Sequence, residues 1–484
     1  MNIKIHNKKK ISKFKFFYIT IEMFHREINS ALNLMNKAIR SGFIVIVGDR
    51  QSFLKIIDSL PKGILFYKSA SIVDEFYYDA FFRRGHKCVC LDAEGLVNID
   101  FKKFFFKNKL TKINLEKLEY YFCAGSYQKK IASNLFKEFK NKFKTTGSIL
   151  GMDWIKFKKK TAKPYLLFLT SFGNYNHISG IKKLGIDLQK RMYQMDDKTY
   201  GYLEKYYNYI NILFKDYLEI IPLIADDIYP IKIIIKVHPA ENIEPWKRVA
   251  KLKKNIILDL KSPTDHLISN ASQVLQSEST TALQTVLIGG KLVTYIPKSF
   301  MDSNIPLFLP KIVSEKFCDV KKLRKKIKTN FKNKNFKKNN NKKLQLLKKY
   351  FNNVENNNVD QLIVKYIKKI DVSFYNFKNY NLKKTNKLKL VFLFFLVLLK
   401  RLKIFNVFYS KKINFLLSEF IVTYGHEKKI LYDFFKIIRK KKIGNNFKNK
   451  DRYLINKKFI TRMYKKKLRS VKITELDKRL LLFQ

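Results

Sequence analysis

Residues 233–246 read IIIKVHPAENIEPW. The apolar run from Ile233 to Val237, broken only by Lys236, reads as a strand that stops at His238-Pro239. A histidine at the C-terminal end of such a strand faces the crevice where open α/β sheets bind ligands. Its imidazole can donate to a phosphate or carboxylate oxygen, and Pro239 keeps His238 extended. Glu241 and Asn242 follow in the same turn. A His-Pro pair alone is an ordinary turn signal; the strand before it gives the pair its meaning.

Outward from this stretch, short apolar runs alternate with amphipathic ones. Strands are predicted over 165–170, 231–237, 255–260, 272–276 and 291–296, with helices over 199–223, 265–269 and 281–288. An earlier series has strands over 43–47, 63–67, 87–91 and 120–124 and helices over 27–40, 52–60, 72–84 and 128–139. This order predicts parallel sheets covered by helices. The turn-rich, then basic segment around 145–165 divides the series. The expected architecture is therefore α/β, with two Rossmann-like domains over 1–155 and 160–320. A Lys/Asn-rich, mostly helical extension occupies 321–484, and its low-complexity start, KKLRKKIKTNFKNKNFKKNNNKK (321–343), reads as a linker or solvated arm.

Three further segments could carry chemistry. QSESTTALQTVLIGG (276–290) runs from a strand through Ser277, Ser279, Thr280 and Thr281 into a helix, and hydroxyls with free N–H groups at a helix start suit phosphate; the plain alternative is N-capping. CVCLDAEG (88–95) places Asp92 and Glu94 at a strand end, where a carboxylate could act as general base or simply cap a turn. LTSFGNYNHISG (169–180) offers Ser171, Asn174, Asn176 and His177 as a ligand-facing loop or a self-satisfied one.

The 484 residues carry 99 Lys/Arg against 39 Asp/Glu, a net charge of +60, with 46% hydrophobic residues. That hydrophobic share excludes a wholly disordered chain. Residues 321–484 hold 47 of the basic and 9 of the acidic residues, and so carry +38 of the charge. Such a surface attracts polyanions, anionic lipid among them, although a charge run is also often just a solvated face. LVFLFFLVLL (390–399) lies between lysines and is too short to span a bilayer, which suits a core helix or a membrane interface. The four cysteines show no CxxC pair and no zinc spacing, so reduced thiols are expected. The basic N-terminus lacks the apolar core of a signal peptide. No DxD-like pair ends a strand; Asp226-Asp227 ends a helix-like run. Neither a metal nor another cofactor is called for, and nothing beyond charge suggests a specific nucleic-acid partner.

Taken in order, FFRRGHKCVCLDAEGLV (81–97), FCAGSYQKK (122–130), TTGSILGMDW (145–154), LFLTSFGNYNHISG (167–180), KVHPAENIEPW (236–246) and QSESTTALQTVLIGGKLVTY (276–295) resemble the bacterial surface carbohydrate biosynthesis proteins. That resemblance covers roughly residues 20–300 and implies a GT-B glycosyltransferase fold, with 1–155 as the acceptor domain and 160–320 as the nucleotide-binding domain. More distantly, the site is similar to that of CMP-sugar sialyl- and Kdo-transferases. By that likeness His238 and Pro239 bind the nucleotide phosphate, Ser279, Thr280 and Thr281 bind nucleotide or phosphate, and Glu94-Gly95 supplies the base region. Ala93 stands where those transferases place the first acidic residue, so Asp92 or Glu94 must substitute or catalysis is impaired. The implied function is a metal-independent, inverting transferase of surface polysaccharide or lipopolysaccharide assembly. Its expected partners are a nucleotide-sugar donor, a glycan or lipid-linked acceptor and the anionic inner face of the membrane, from the cytoplasm. The alternatives are a CDP-glycerol-type glycerophosphotransferase and a non-catalytic protein of the membrane surface.

Overall fold

The computed structural model describes residues 2–3, 14–22, 24–92, 110–157, 163–178, 196–333, 341–372, 380–381, 473–477 and 480–483. Glu94 and the 390–399 decamer lie outside the described residues. The chain forms two units: Met1–Leu91, Lys112–Phe122 and Asp360–Gln484 supply the first, and Asp92–Thr111 with Cys123–Val359 supply the second.

The first unit begins with β1 (Lys15–Thr20), α1 (Phe24–Ile39), β2 (Phe43–Gly48), α2 (Arg50–Ile56), β3 (Gly63–Tyr67), α3 (Glu75–Phe82), β4 (Lys87–Leu91), α4 (Lys112–Lys117) and β5 (Leu118–Cys123). Its strands neighbour one another in the order β2-β1-β3-β4-β5, all in parallel register. Phe43–Gly48 and Gly63–Tyr67 are buried at every position. That is the pattern of strands covered on both faces, where side chains of either parity must be apolar. β1 is the central strand, yet its sequence follows a lysine-rich run that hides it from a hydropathy scan. Phe16, Phe17, Tyr18 and Ile19 are all buried.

The second unit contains α5 (Ser126–Leu135), α6 (Ile149–Lys156), β6 (Lys163–Leu169), α7 (Asp197–Ile228), β7 (Lys232–Lys236), α8 (Glu244–Leu252), β8 (Ile256–Leu258), α9 (Thr264–Asn270), β9 (Ala271–Gln276), α10 (Thr281–Ile288), β10 (Leu292–Tyr295), α11 (Phe308–Val313), β11 (Glu315–Phe317), α12 (Val320–Lys332) and α13 (Asn341–Leu347). The sheet order is β8-β7-β6-β9-β10-β11, again all parallel. Numbered along the chain, these six strands run 3-2-1-4-5-6, the doubly wound order of dinucleotide-binding folds. The α/β expectation therefore holds in both units.

The run after residue 320, expected to be a linker or solvated arm, begins instead as a packed helix. In α12, Leu323, Ile327 and Phe331 recur every four residues and are buried, on one face of an otherwise basic helix. Asp319 caps it by accepting from the Lys322 N–H at 2.8 Å. Asp226 and Asp227 are likewise structural: Asp226 pairs with Lys253 at 2.7 Å and Asp227 with Arg324 at 2.6 Å.

Residues 349–353 explain the glycines of the two turn-rich motifs. Tyr127 N–H donates to Lys349 O at 3.0 Å and Asn352 N–H to Ala124 O at 2.7 Å, which lays one backbone on the other. A Cβ on Gly125 would stand 2.4 Å from the Tyr350 carbonyl, and one on Gly151 would stand 2.0 Å from the Phe351 ring. Asn353 grips Ser148 on both backbone groups, at 2.7 and 2.8 Å. Because backbone rather than a flexible side chain opposes Gly125, Gly125→Ala should cost about 1–3 kcal/mol by overpacking. Denaturant melts would measure this, and an unchanged midpoint would contradict the close approach.

The chain then returns to the first unit with α14 (Val359–Lys368), β12 (Ile473–Asp477) and β13 (Leu480–Phe483). Tyr366 packs on Tyr120 and Phe122, with centroids 5.4 and 6.0 Å apart. β12 and β13 form an antiparallel hairpin whose β13 pairs antiparallel with β2, Leu480 opposite Gly48 and Phe483 opposite Val45. Among the described residues no helix is long and apolar enough to cross a membrane.

Candidate nucleotide site of the second unit

In a 3-2-1-4-5-6 sheet the winding direction reverses between strands 1 and 4, here β6 and β9, and ligands bind beyond the carboxyl ends of the strands at that point. The three adjacent strands β7, β6 and β9 deliver His238, Thr170 and Ser277 there.

Thr170 joins the first two. Its hydroxyl accepts from the His238 N–H at 2.9 Å and donates to Glu241 Oε1 at 2.7 Å. Glu241 Oε1 also accepts from the Phe172 N–H at 2.7 Å, and Oε2 accepts from Trp246 Nε1 at 3.0 Å. Glu241 is therefore a buried hub tying the turn after β6 to the turn after β7. Burial pushes its carboxyl up to about 7, against the opposing pull of these hydrogen bonds.

His238 itself is exposed. Its Nδ1 accepts from the Ala240 N–H at 3.2 Å. An accepting Nδ1 places the proton of the neutral ring on Nε2, so the second nitrogen is a donor. Pro239 is exposed beside it. Gly173 passes so close that an added Cβ would lie 3.2 Å from Ala240 Cβ and 3.5 Å from His238 Nδ1.

The 171–177 loop is laced to the same turn. Asn176 Nδ2 donates to Asn242 O at 2.7 Å, the Asn242 N–H returns a bond to Asn176 O at 2.7 Å, and His177 faces Glu241 across an antiparallel bridge. Ser171 is half-buried and Asn174 is exposed. Phe172, between them, enters the core.

On the other side of β6, β9 runs into Ser277-Glu278-Ser279-Thr280 and then α10. Ser277 is buried, its N–H bonded to Leu169 O at 3.2 Å. Ser279 and Thr280 are half-buried at the helix start, and Ser279 Oγ accepts from the Thr281 N–H at 3.3 Å. Thr281 Oγ1 is buried and has no hydrogen-bond partner among the described residues.

Glu278 turns the chain with φ at 36°, in the left-handed region that non-glycine residues seldom occupy. Its carboxylate accepts from Tyr209 at 2.9 Å and from the Leu307 N–H, and burial pushes it up to about 7. The folded state therefore favours the protonated acid relative to an ordinary 4.5. Its stabilising contribution is complete below about 4.5 and is lost as pH rises to about 7, a swing on the order of 3 kcal/mol. Glu278→Gln keeps both bonds, because an amide can accept from Leu307 and donate to Tyr209. The variant should gain stability over the wild type as pH rises from 5 to 8. A stability difference that is flat in pH would contradict the assignment.

Asp92 directly follows β4 and is buried at 6% exposure. Burial, with the Asp92 carboxylate adding to it, pushes the Cys123 thiol up. Residue-level reading of the sequence passes over two members of this group. Thr170 looks like the last residue of an apolar run, and Glu278 is hidden among hydroxyls.

Strand order, an all-parallel sheet and polar turns at the reversal point define the second unit as a Rossmann-type α/β domain. No protein-family model matches the chain, and no curated protein matches it. Solved structures do resemble it at low identity. UDP-GlcNAc 2-epimerase from Neisseria meningitidis is 12% identical over 74% of this chain and 100% of its own, with a TM-score of 0.45. The wall teichoic acid polymerase TagF is 10% identical over 74% and 89%, with a TM-score of 0.40. The lipopolysaccharide outer core galactosyltransferase WaaB is 8% identical over 74% and 100%, with a TM-score of 0.36.

Proposed function

We propose that the protein is a GT-B glycosyltransferase of bacterial surface-glycan assembly that takes its sugar from a CMP-type donor. The observation that carries this is the convergence of His238, Thr170 and the Ser277–Thr281 turn at the carboxyl ends of three adjacent strands, at the winding reversal. His238 Nε2–H and the start of α10 would meet the charge that builds on the departing nucleotide phosphate, a role that preorganised donors perform well. In the inverting displacement the bond from the sugar carbon to the phosphate oxygen breaks and its electron pair leaves with CMP. The acceptor oxygen bonds to the same carbon and its proton passes to a carboxylate, which we assign to Asp92 or Glu94. Asp226 and Asp227 are committed to ion pairs, so the route draws on side chains and backbone donors for the phosphate.

Thermal protection by CMP, CDP and UDP tests the donor. CMP should raise the melting temperature most. Protection by UDP or CDP alone would reassign the donor, and protection by none would remove the nucleotide site.

We further propose that the basic extension holds the protein at the cytoplasmic face of an anionic membrane. Each basic residue near such a surface contributes about 1 kcal/mol, and +38 lies in residues 321–484. The full chain should pellet with anionic vesicles and be released in part by salt. Equal pelleting with neutral vesicles, or none with either, would reject the electrostatic anchor.

A further inference from the structure

One edge of the second sheet carries an arrangement that the nucleotide site does not use. β8 is the last strand of its order and, among the described residues, pairs with β7 alone. Around it stand the three large apolar side chains with the greatest exposure among the described residues: Tyr229 at 66%, Leu252 at 62% and Leu260 at 56%. Ile257, in β8 itself, is also exposed. Leu252 ends α8 and Leu260 follows β8. Asn255 Nδ2 donates to Ala225 O and Ile231 O at 2.9 Å each, and Lys253 pairs with Asp226 at 2.7 Å. The end of α7, with Tyr229, is thereby tied to the start of β8. Solitary exposed apolar residues are ordinary, whereas a group of them rimmed by polar residues marks an interaction surface.

The same edge is basic. Residues 244–261 hold six Lys/Arg against two acidic residues. Both acids are engaged locally, Glu244 with Lys247 at 2.7 Å and Asp259 with the N–H groups of Lys261 and Ser262 at 3.0 and 2.7 Å. On α8, Pro245, Trp246 and Val249 are buried while Lys247, Arg248 and Lys251 are exposed. Lysines beside an edge strand also discourage sheets from joining edge to edge, but bare leucines would defeat that purpose. A second copy is a poor occupant, because an isologous contact sets the same six basic residues against each other. Nucleic acid would meet the charges and leave the aliphatic side chains in water. An anionic bilayer takes up both: basic residues meet its headgroups, and leucines and a tyrosine ring enter its interface.

We propose that the β8 edge of the second unit is a membrane-contact face. Leu252 and Leu260 enter the interface of an anionic bilayer, Tyr229 lies at headgroup level, and Lys251, Lys254 and Lys261 meet the lipid phosphates. The choice of a membrane as partner rests on the proposed function; the contact itself is independent of the basic extension.

An environment-sensitive fluorophore tests the contact position by position in the full chain. Cys88, Cys90 and Cys123 are buried, so Cys318→Ser clears the background. A nitrobenzoxadiazole label is then attached in Leu252→Cys, in Leu260→Cys and, as control, in Leu346→Cys, an exposed position on α13. With phosphatidylglycerol–phosphatidylcholine vesicles the labels at 252 and 260 should brighten and shift to the blue, and the label at 346 should not. Leu252→Ser combined with Leu260→Ser should weaken partition into the same vesicles at high salt roughly tenfold or more, since salt screens charge but not apolar insertion. Both leucines are exposed, so this variant should melt as wild type. Pelleting of the full chain without a blue shift at 252 and 260 would leave the extension as the anchor and overturn this contact alone. No pelleting at all would remove the membrane reading with it. An equal shift at 346, or a shift produced by single-stranded RNA without lipid, would also overturn the proposal.

Discussion

Glu241→Ala is expected to lower the stability of the second unit by about 3–5 kcal/mol. The substitution strands the Thr170 hydroxyl, the Phe172 N–H and the indole N–H of Trp246, all buried. Each donor left unsatisfied costs about 1–3 kcal/mol. Relief from burying a carboxylate offsets part of that sum, since burial already pushes Glu241 up to about 7. Glu241→Gln should lose less. Its oxygen can still serve Thr170 and Phe172, while its amide meets the Trp246 donor head-on. Thermal melts should therefore rank wild type above Gln above Ala, with Ala lower by roughly 10 °C. An alanine variant melting within a degree of wild type would show that the two turns are held some other way.

His238→Ala should do the opposite, sparing the fold and weakening nucleotide binding. The side chain is exposed, and its Nδ1 accepts from the Ala240 N–H within the same turn. A hydrogen bond to a charged phosphate is worth about 1.5–3 kcal/mol, so CMP should bind roughly 10–100-fold more weakly. His238→Asn sharpens the test. The asparagine oxygen can take over the Ala240 N–H, as in an Asx turn, but nothing replaces Nε2–H. If His238→Asn bound CMP as well as wild type, the histidine would be a turn residue only. Equal binding in the alanine variant and wild type would remove His238 from the site altogether.

The contrast between these two residues marks what a sequence can disclose. His238 and the Ser279–Thr281 helix start stand out because each ends an apolar run, and a run followed by polar punctuation is a one-dimensional signal. The same signal located most strands of both sheets to within a residue or two. Glu278 carries no such signal, and Glu241, singled out only as part of the turn after His238-Pro239, shows no sign of its burial. A buried carboxylate is recognised by the donors around it, and Thr170, Tyr209 and Leu307 come from other parts of the chain. Helix α12 was illegible for another reason: its three buried residues are outnumbered by lysines, so composition suggested a linker.

The pairing of β13 with β2 has a consequence for how the protein is made. Gly48 emerges from the ribosome more than 400 residues before its partner Leu480. At about 5–20 residues per second, the edge of β2 waits on the order of half a minute before that hairpin can cover it. An unpaired, fully apolar edge strand invites pairing with another chain. The same delay applies to Tyr366, which closes over Tyr120 and Phe122. Nascent or prematurely terminated chains should thus be the aggregation-prone form of this protein. A shortened version ending near residue 320 would stay in that state permanently, with its first sheet unsealed and Gly125 and Gly151 uncovered.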